Sequence, residues 1–111
     1  VLDRRHQPHD RVDLLQRHAD YLFTIGDVAG GEKAYADAGR ALGAQASAFQ
    51  LGRNQQLLAM SNANLGRIEV ARAQFDEARQ LYEAMPESPN RAYALNTLVD
   101  ARRRALGETA P

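Results

Sequence analysis

Three histidines, His6, His9 and His18, form the only histidine group in the chain, and imidazole is the side chain best suited to a metal or to general acid–base work. A metal centre needs two of them on one helical face with a third ligand. His6 and His9 instead fall in a polar lead-in beside Pro8, so all three are read as surface histidines and no metal is expected. Gly26 to Lys33 has the look of a phosphate loop, but the lysine falls one place late after Gly31, Ala34 stands where a hydroxyl is needed, and no strand precedes it. Ser47, Ser61 and Ser88 lack a histidine and an acid to activate them, and the carboxylates are spread along outward faces. Arg102-Arg103-Arg104 is the only basic run, and in the last turns of a helix it complements exposed carbonyls. No catalytic residue and no cofactor is therefore expected, and the chain does not read as an enzyme.

Composition narrows the classes further. The 111 residues fit a single domain, and 14 basic residues balance 14 acidic ones. A dedicated nucleic-acid binder carries a basic excess, so direct nucleic-acid binding is not expected. There is no cysteine, which removes disulfides and thiolate metal sites. No apolar run approaches a membrane span, and Val1-Leu2-Asp3-Arg4-Arg5-His6 has no hydrophobic core for a signal peptide, so a cytoplasmic protein is expected. A first residue other than Met suggests a piece of something longer. Thirteen Arg against Lys33 alone, with abundant Ala, matches a high-GC bacterial bias and favours helix.

The elements that must position any site announce themselves by repetition. Gly26-Asp27-Val28, then Gly31, Tyr35 and Ala38, returns 40 residues later as Gly66-Arg67-Ile68, then Ala71, Phe75 and Ala78, with Ala19 and Ala59 upstream. Small, aromatic and small residues four and three apart share one helical stripe. After a lead-in over 1–9, a first helix is predicted from an Asp10 N-cap to Gly26, burying Val12, Leu15, Ala19 and Leu22. The second spans about 28–42 and stops at Gly43; Gly31 is read as a close-packing position, while Gly30 has no reading. The third spans about 45–65, with Gly52 marking either a late start or a local bend. The fourth follows Ile68, Ala71, Phe75, Ala78, Leu81, Tyr82 and Met85 up to Pro86. Ser88-Pro89 opens the fifth, whose buried face is read as Tyr93, Leu95, Leu98, Val99, Ala105 and Leu106; it ends at Gly107, leaving 108–111 frayed. No segment alternates as a strand does.

Leu65-Gly66-Arg67-Ile68-Glu69-Val70-Ala71, followed by Phe75, Ala78 and Leu81, resembles the tetratricopeptide repeat, with Gly26-Asp27, Gly31, Tyr35 and Ala38 as a weaker first copy. The resemblance implies an all-α fold of about five helices, a right-handed superhelical stack of antiparallel hairpins: repeat 1 at about 10–43, repeat 2 at about 45–85 and a final helix at about 88–107. Leu15 and Gln55 stand where the family often has tryptophan, Arg102 falls where an apolar residue is wanted, and the spacing exceeds the family's usual ~34 residues. Longer repeats of this kind resemble those of bacterial regulators and kinesin light chains.

In that family the first helix of each hairpin lines a concave groove that takes partner peptides. Carried over, the resemblance implies Arg17, Asp20 and Thr24 from the first helix, Arg53, Gln56, Met60 and Asn64 from the third, and Tyr93, Asn96, Asp100 and Arg103 from the fifth. The Lys-Asn arrangement of the chaperone carboxylate clamp is not present. Three readings stay open: a non-catalytic protein- or peptide-binding module; a sensor or oligomerisation part of a larger bacterial regulatory protein; and a self-associating scaffold. In the third, the unpaired last helix would bury Leu95, Leu98 and Leu106 against a second copy or an adjoining domain.

Overall fold

The computed structural model describes residues 8–44 and 46–107. They form five α-helices and no strand: α1 (Pro8–Thr24), α2 (Val28–Leu42), α3 (Ala48–Asn64), α4 (Ile68–Glu83) and α5 (Pro89–Leu106). The chain divides into two compact units, the first ending at Ala46 and the second beginning at Ser47. The predicted frayed tail and all of the lead-in except its last two residues lie outside the described residues.

In the first unit α1 and α2 form an antiparallel hairpin. α1 begins at Pro8, two residues before the predicted start, so Asp10 is an internal residue of the first turn and not a cap. Proline is favoured at the first helical position because its missing N–H is not needed there. The turn closes on Gly26, whose φ of 87° only glycine adopts freely. Gly26 N–H donates to the Phe23 carbonyl at 3.0 Å and Asp27 N–H to the Leu22 carbonyl at 2.8 Å, a Schellman closure. Asp27 then caps α2 through its carboxylate, which accepts from Gly30 N–H at 3.0 Å. A Cβ on residue 30 would run into that carboxylate, which accounts for Gly30. Val12, Ala19, Phe23, Ala34, Tyr35 and Ala38 are buried, with the Phe23 and Tyr35 rings tilted at a 6.1 Å centroid separation. The Phe23 ring lies over Gly31, where a Cβ would stand only 2.5 Å from it.

The second unit repeats this closure. Gly66 (φ 80°) donates to the Ala63 carbonyl at 2.9 Å and Arg67 N–H to the Asn62 carbonyl at 3.0 Å. α3 starts at Ala48, three residues later than predicted. Ser47 and Gln50 form a reciprocal capping box there, with Gln50 N–H donating to Ser47 Oγ at 3.1 Å and Ser47 N–H to Gln50 Oε1 at 2.9 Å. Gly52 therefore does not mark the start of the helix. It is buried inside the helix under the Tyr82 ring, 2.5 Å from where its Cβ would be.

The core of this unit is small-residue rich: Ala59 and Ala63 from α3, Ala71, Phe75, Ala78 and Tyr82 from α4, and Ala94, Leu98 and Ala101 from α5. Alanine at these points lets helix backbones approach closely around the two rings. One polar side chain is embedded as well. Asn62 is fully buried, donates to Gln74 Oε1 at 2.9 Å and accepts from Arg67 Nη1 at 2.7 Å, so its amide is satisfied by α4 and by the turn.

α5 packs against both α3 and α4. Its buried stripe is Ala94, Leu98 and Ala101, which rotates the helix from the orientation read in the sequence: Tyr93 and Val99, expected inside, are 65% and 47% exposed. Arg102, anomalous in a buried register, is half-buried and donates from Nη1 to Asp76 Oδ1 of α4 at 2.8 Å.

Candidate functional site

Within the second unit, Arg53, Gln56, Met60 and Asn64 recur at three, four and four residues along α3, and so share one side of the helix. Facing this side, α5 presents Thr97, Asp100, Ala101, Arg104 and Ala105. Between them runs an open groove of about 330 Å³ lined by those five residues together with Gln56, Met60 and Asn64. Four of the predicted residues, Gln56, Met60, Asn64 and Asp100, are thus brought to one place.

The groove is chemically mixed, and its groups differ in how firmly they are held. Gln56 is a buried polar residue whose Oε1 accepts the Tyr82 hydroxyl proton at 2.9 Å. That bond orients the amide and leaves its two N–H donors uncommitted to Tyr82. Burial pushes the Tyr82 phenol up to about 12, against a smaller opposing pull from the Arg53 guanidinium. Met60 packs partly against the core and lends the groove an apolar floor with Ala101 and Ala105. At the far end Asp100 holds two guanidiniums, Arg103 Nη2 at 3.1 Å on one oxygen and Arg104 Nη2 at 3.0 Å on the other.

The remaining predicted residues lie elsewhere. Arg53, Asn96 and Arg103 are exposed on α3 and α5 outside the groove lining. Tyr93 lines a separate cleft of about 380 Å³ with Phe49, Met85 and Asn90. Arg17, Asp20 and Thr24 are exposed along α1 in the first unit; Arg17 pairs with Asp13 at 3.0 Å and Thr24 Oγ1 donates to the Asp20 carbonyl at 2.9 Å. The self-association set does not form the open face anticipated for it. Leu98 is 4% exposed within the core, and Leu95 and Leu106 pack partly against it, because α3 and α4 already cover that side of α5.

Sequence reasoning missed Thr97 and Arg104. The signal for Arg104 was present, since it follows Asp100 by four residues and must share its face. It also missed the exposed apolar residues Leu14 and Tyr21 of α1 and Ile25 in the turn after it, which are 63%, 59% and 58% exposed at a spacing of seven and four. Of the histidines, His18 is exposed on α1, while His6 and the side chain of His9 lie outside the described residues. Among the described residues no His, Cys, Asp and Glu converge as a metal-binding group, and no helix is long and apolar enough to cross a membrane. Comparison with protein-family models, with curated proteins and with solved structures returned no match to this chain.

Proposed function

We propose that the chain is a non-catalytic binding module of the tetratricopeptide type, which takes a segment of a partner protein along the α3–α5 side of its second hairpin. The observation that carries this reading is the convergence of Gln56, Met60, Asn64 and Asp100 on one open groove between two helices that run side by side. Amide groups at Gln56 and Asn64 suit peptide backbone, the Met60 thioether adapts to an apolar side chain, and Asp100 with its arginines supplies charge selectivity. Support for the repeat type comes from the two hairpins themselves. Ala19 and Ala59, Tyr35 and Phe75, and Ala38 and Ala78 are buried pairwise, and Gly26 and Gly66 close the two turns with the same hydrogen bonds.

The test is selection from a displayed random-peptide library, followed by calorimetric titration of the selected sequence. Met60→Ala and Asn64→Ala should each weaken binding by about tenfold, the loss typical of a central interface residue. Glu83→Ala, on the exposed side of α4, should leave it unchanged. Equal affinity in all three variants places the partner on another surface.

A further inference from the structure

The chain's zero net charge conceals an uneven distribution in the second unit. Arg53 is the sole charged residue of α3. α5 carries four arginines and a single carboxylate, Asp100. α4, which contributes nothing to the groove lining, carries Glu69, Asp76, Glu77 and Glu83 against two arginines. Arg102 turns away to Asp76 of α4, and Arg91 and Arg103 lie outside the groove lining, which leaves Arg104 in the lining and Arg53 on the same side of α3 as Gln56 and Met60, against the one carboxylate of Asp100.

We propose that the partner segment taken by this groove is acidic: a peptide whose Glu or Asp side chains are drawn to Arg104 in the groove and to Arg53 on the same side of α3, while an apolar side chain rests on Met60. The inference rests on the groove being the peptide-binding face and adds the chemistry of the ligand. Each arginine at the Asp100 end spends one terminal nitrogen on that carboxylate. A guanidinium has five donors, so Arg104 retains enough to take an incoming carboxylate side-on. Arg53 and Arg104 against the single carboxylate of Asp100 leave an excess of positive charge along this side of the unit, which steers oppositely charged segments and disfavours basic ones. A peptide fits these observations better than a nucleic acid. The groove holds one arginine among a carboxylate, a thioether and two amides, where a phosphate chain needs a continuous run of cations.

The experiment uses three fluorescein-labelled peptides of equal length in which Leu and Ala alternate with Glu, Ser or Lys, together with a labelled oligothymidylate, titrated by anisotropy at low and physiological salt. The Glu peptide should bind about tenfold more tightly than the Ser peptide, with the advantage shrinking as salt rises, and the Lys peptide should bind least. The double variant Arg53→Gln/Arg104→Gln should abolish that advantage. Asp100→Asn, which releases two guanidiniums, should tighten the Glu peptide severalfold and leave the Ser peptide unchanged, a gain that a merely structural carboxylate would not produce. Circular dichroism checks that each variant is folded. Should the double variant not fold, Asp100→Asn and the salt series decide the matter. Equal affinity for the Glu and Ser peptides overturns the acidic partner while leaving peptide binding in place. Binding of none of the three overturns it as well, and the library selection then decides whether the groove binds peptides at all. Tighter binding of oligothymidylate than of the Glu peptide overturns it in favour of a nucleic-acid surface.

Discussion

Tyr82 is held by three of its neighbours at once: its ring rests on Gly52, stacks with Phe49 at a 6.0 Å centroid distance, and its hydroxyl donates to Gln56. Gly52→Ala would place a methyl inside the ring's contact distance while improving helix propensity. Overpacking costs about 1–3 kcal/mol, against about 1 kcal/mol gained from propensity, so a net loss of stability is expected in urea unfolding. The phenol adds a pH signature. Its folded value is raised from 10.0 to about 12, so the neutral form is the one the fold stabilises. The associated stability is complete below about pH 10 and is lost as pH climbs toward 12. Tyr82→Phe should flatten that alkaline slope, and at neutral pH it should cost about 1 kcal/mol by removing the hydroxyl and leaving Gln56 Oε1 without its donor. At this scale the sequence was legible where a residue type dictates geometry, as at Gly26 and Gly66. It was opaque at Gly52, because a helical glycine reads as a defect until the ring that needs the space is located 30 residues downstream.

Individual helices were legible to the extent that their ends and stripes are chemically distinct. α4 and the start of α5 follow their predicted pattern, since Ile68 to Tyr82 leaves one apolar side and Ser88-Pro89 is a strong start signal. The start of α3 was hidden because Ala46, Ser47 and Ala48 offer no apolar period to begin counting from; the decisive feature is the Ser47–Gln50 capping box. Ser47→Ala should therefore cost about 1 kcal/mol and fray α3 first, measurable as faster amide exchange in its first turn. α5 was misrotated for a different reason. Its apolar residues surround the helix, and its inner side is marked by Ala94 and Ala101, which are too small to stand out against Tyr93 and Val99. Once Ala94, Leu98 and Ala101 are set inward, Arg102 falls beside Asp76, and a residue that looked out of place becomes a tie between helices. The candidate groove was half legible by the same logic: α3 contributes as expected, while on α5 the rotation exchanges Tyr93, Asn96 and Arg103 for Thr97 and Arg104.

Across the whole chain, the 40-residue echo pairs buried equivalents such as Ala19 with Ala59 and Ala38 with Ala78, yet the two copies differ at several inner positions, one of which is polar in the second copy alone. Leu22 in the first hairpin corresponds to Asn62 in the second, Asp27 to Arg67, and Ala34 to Gln74. Duplicated hairpins in one chain risk exchanging halves, within a molecule or between two, because each first helix presents a similar surface to each second helix. Asn62 acts against that exchange. Closed on α2, α3 would set the Asn62 amide opposite Ala34 in place of Gln74, losing the short bond to the α4 acceptor and keeping only the long one to the Leu58 carbonyl of its own helix. A buried amide deprived of its best acceptor costs about 1 kcal/mol or more, which is about fivefold or more in the population of a mispaired form. Asn62→Leu should relax this discrimination, and refolding at high concentration should then yield exchanged dimers, seen by light scattering, that the parent chain does not form. The buried asparagine is thus an identity tag by which one half of a duplicated chain tells its own partner from the other's.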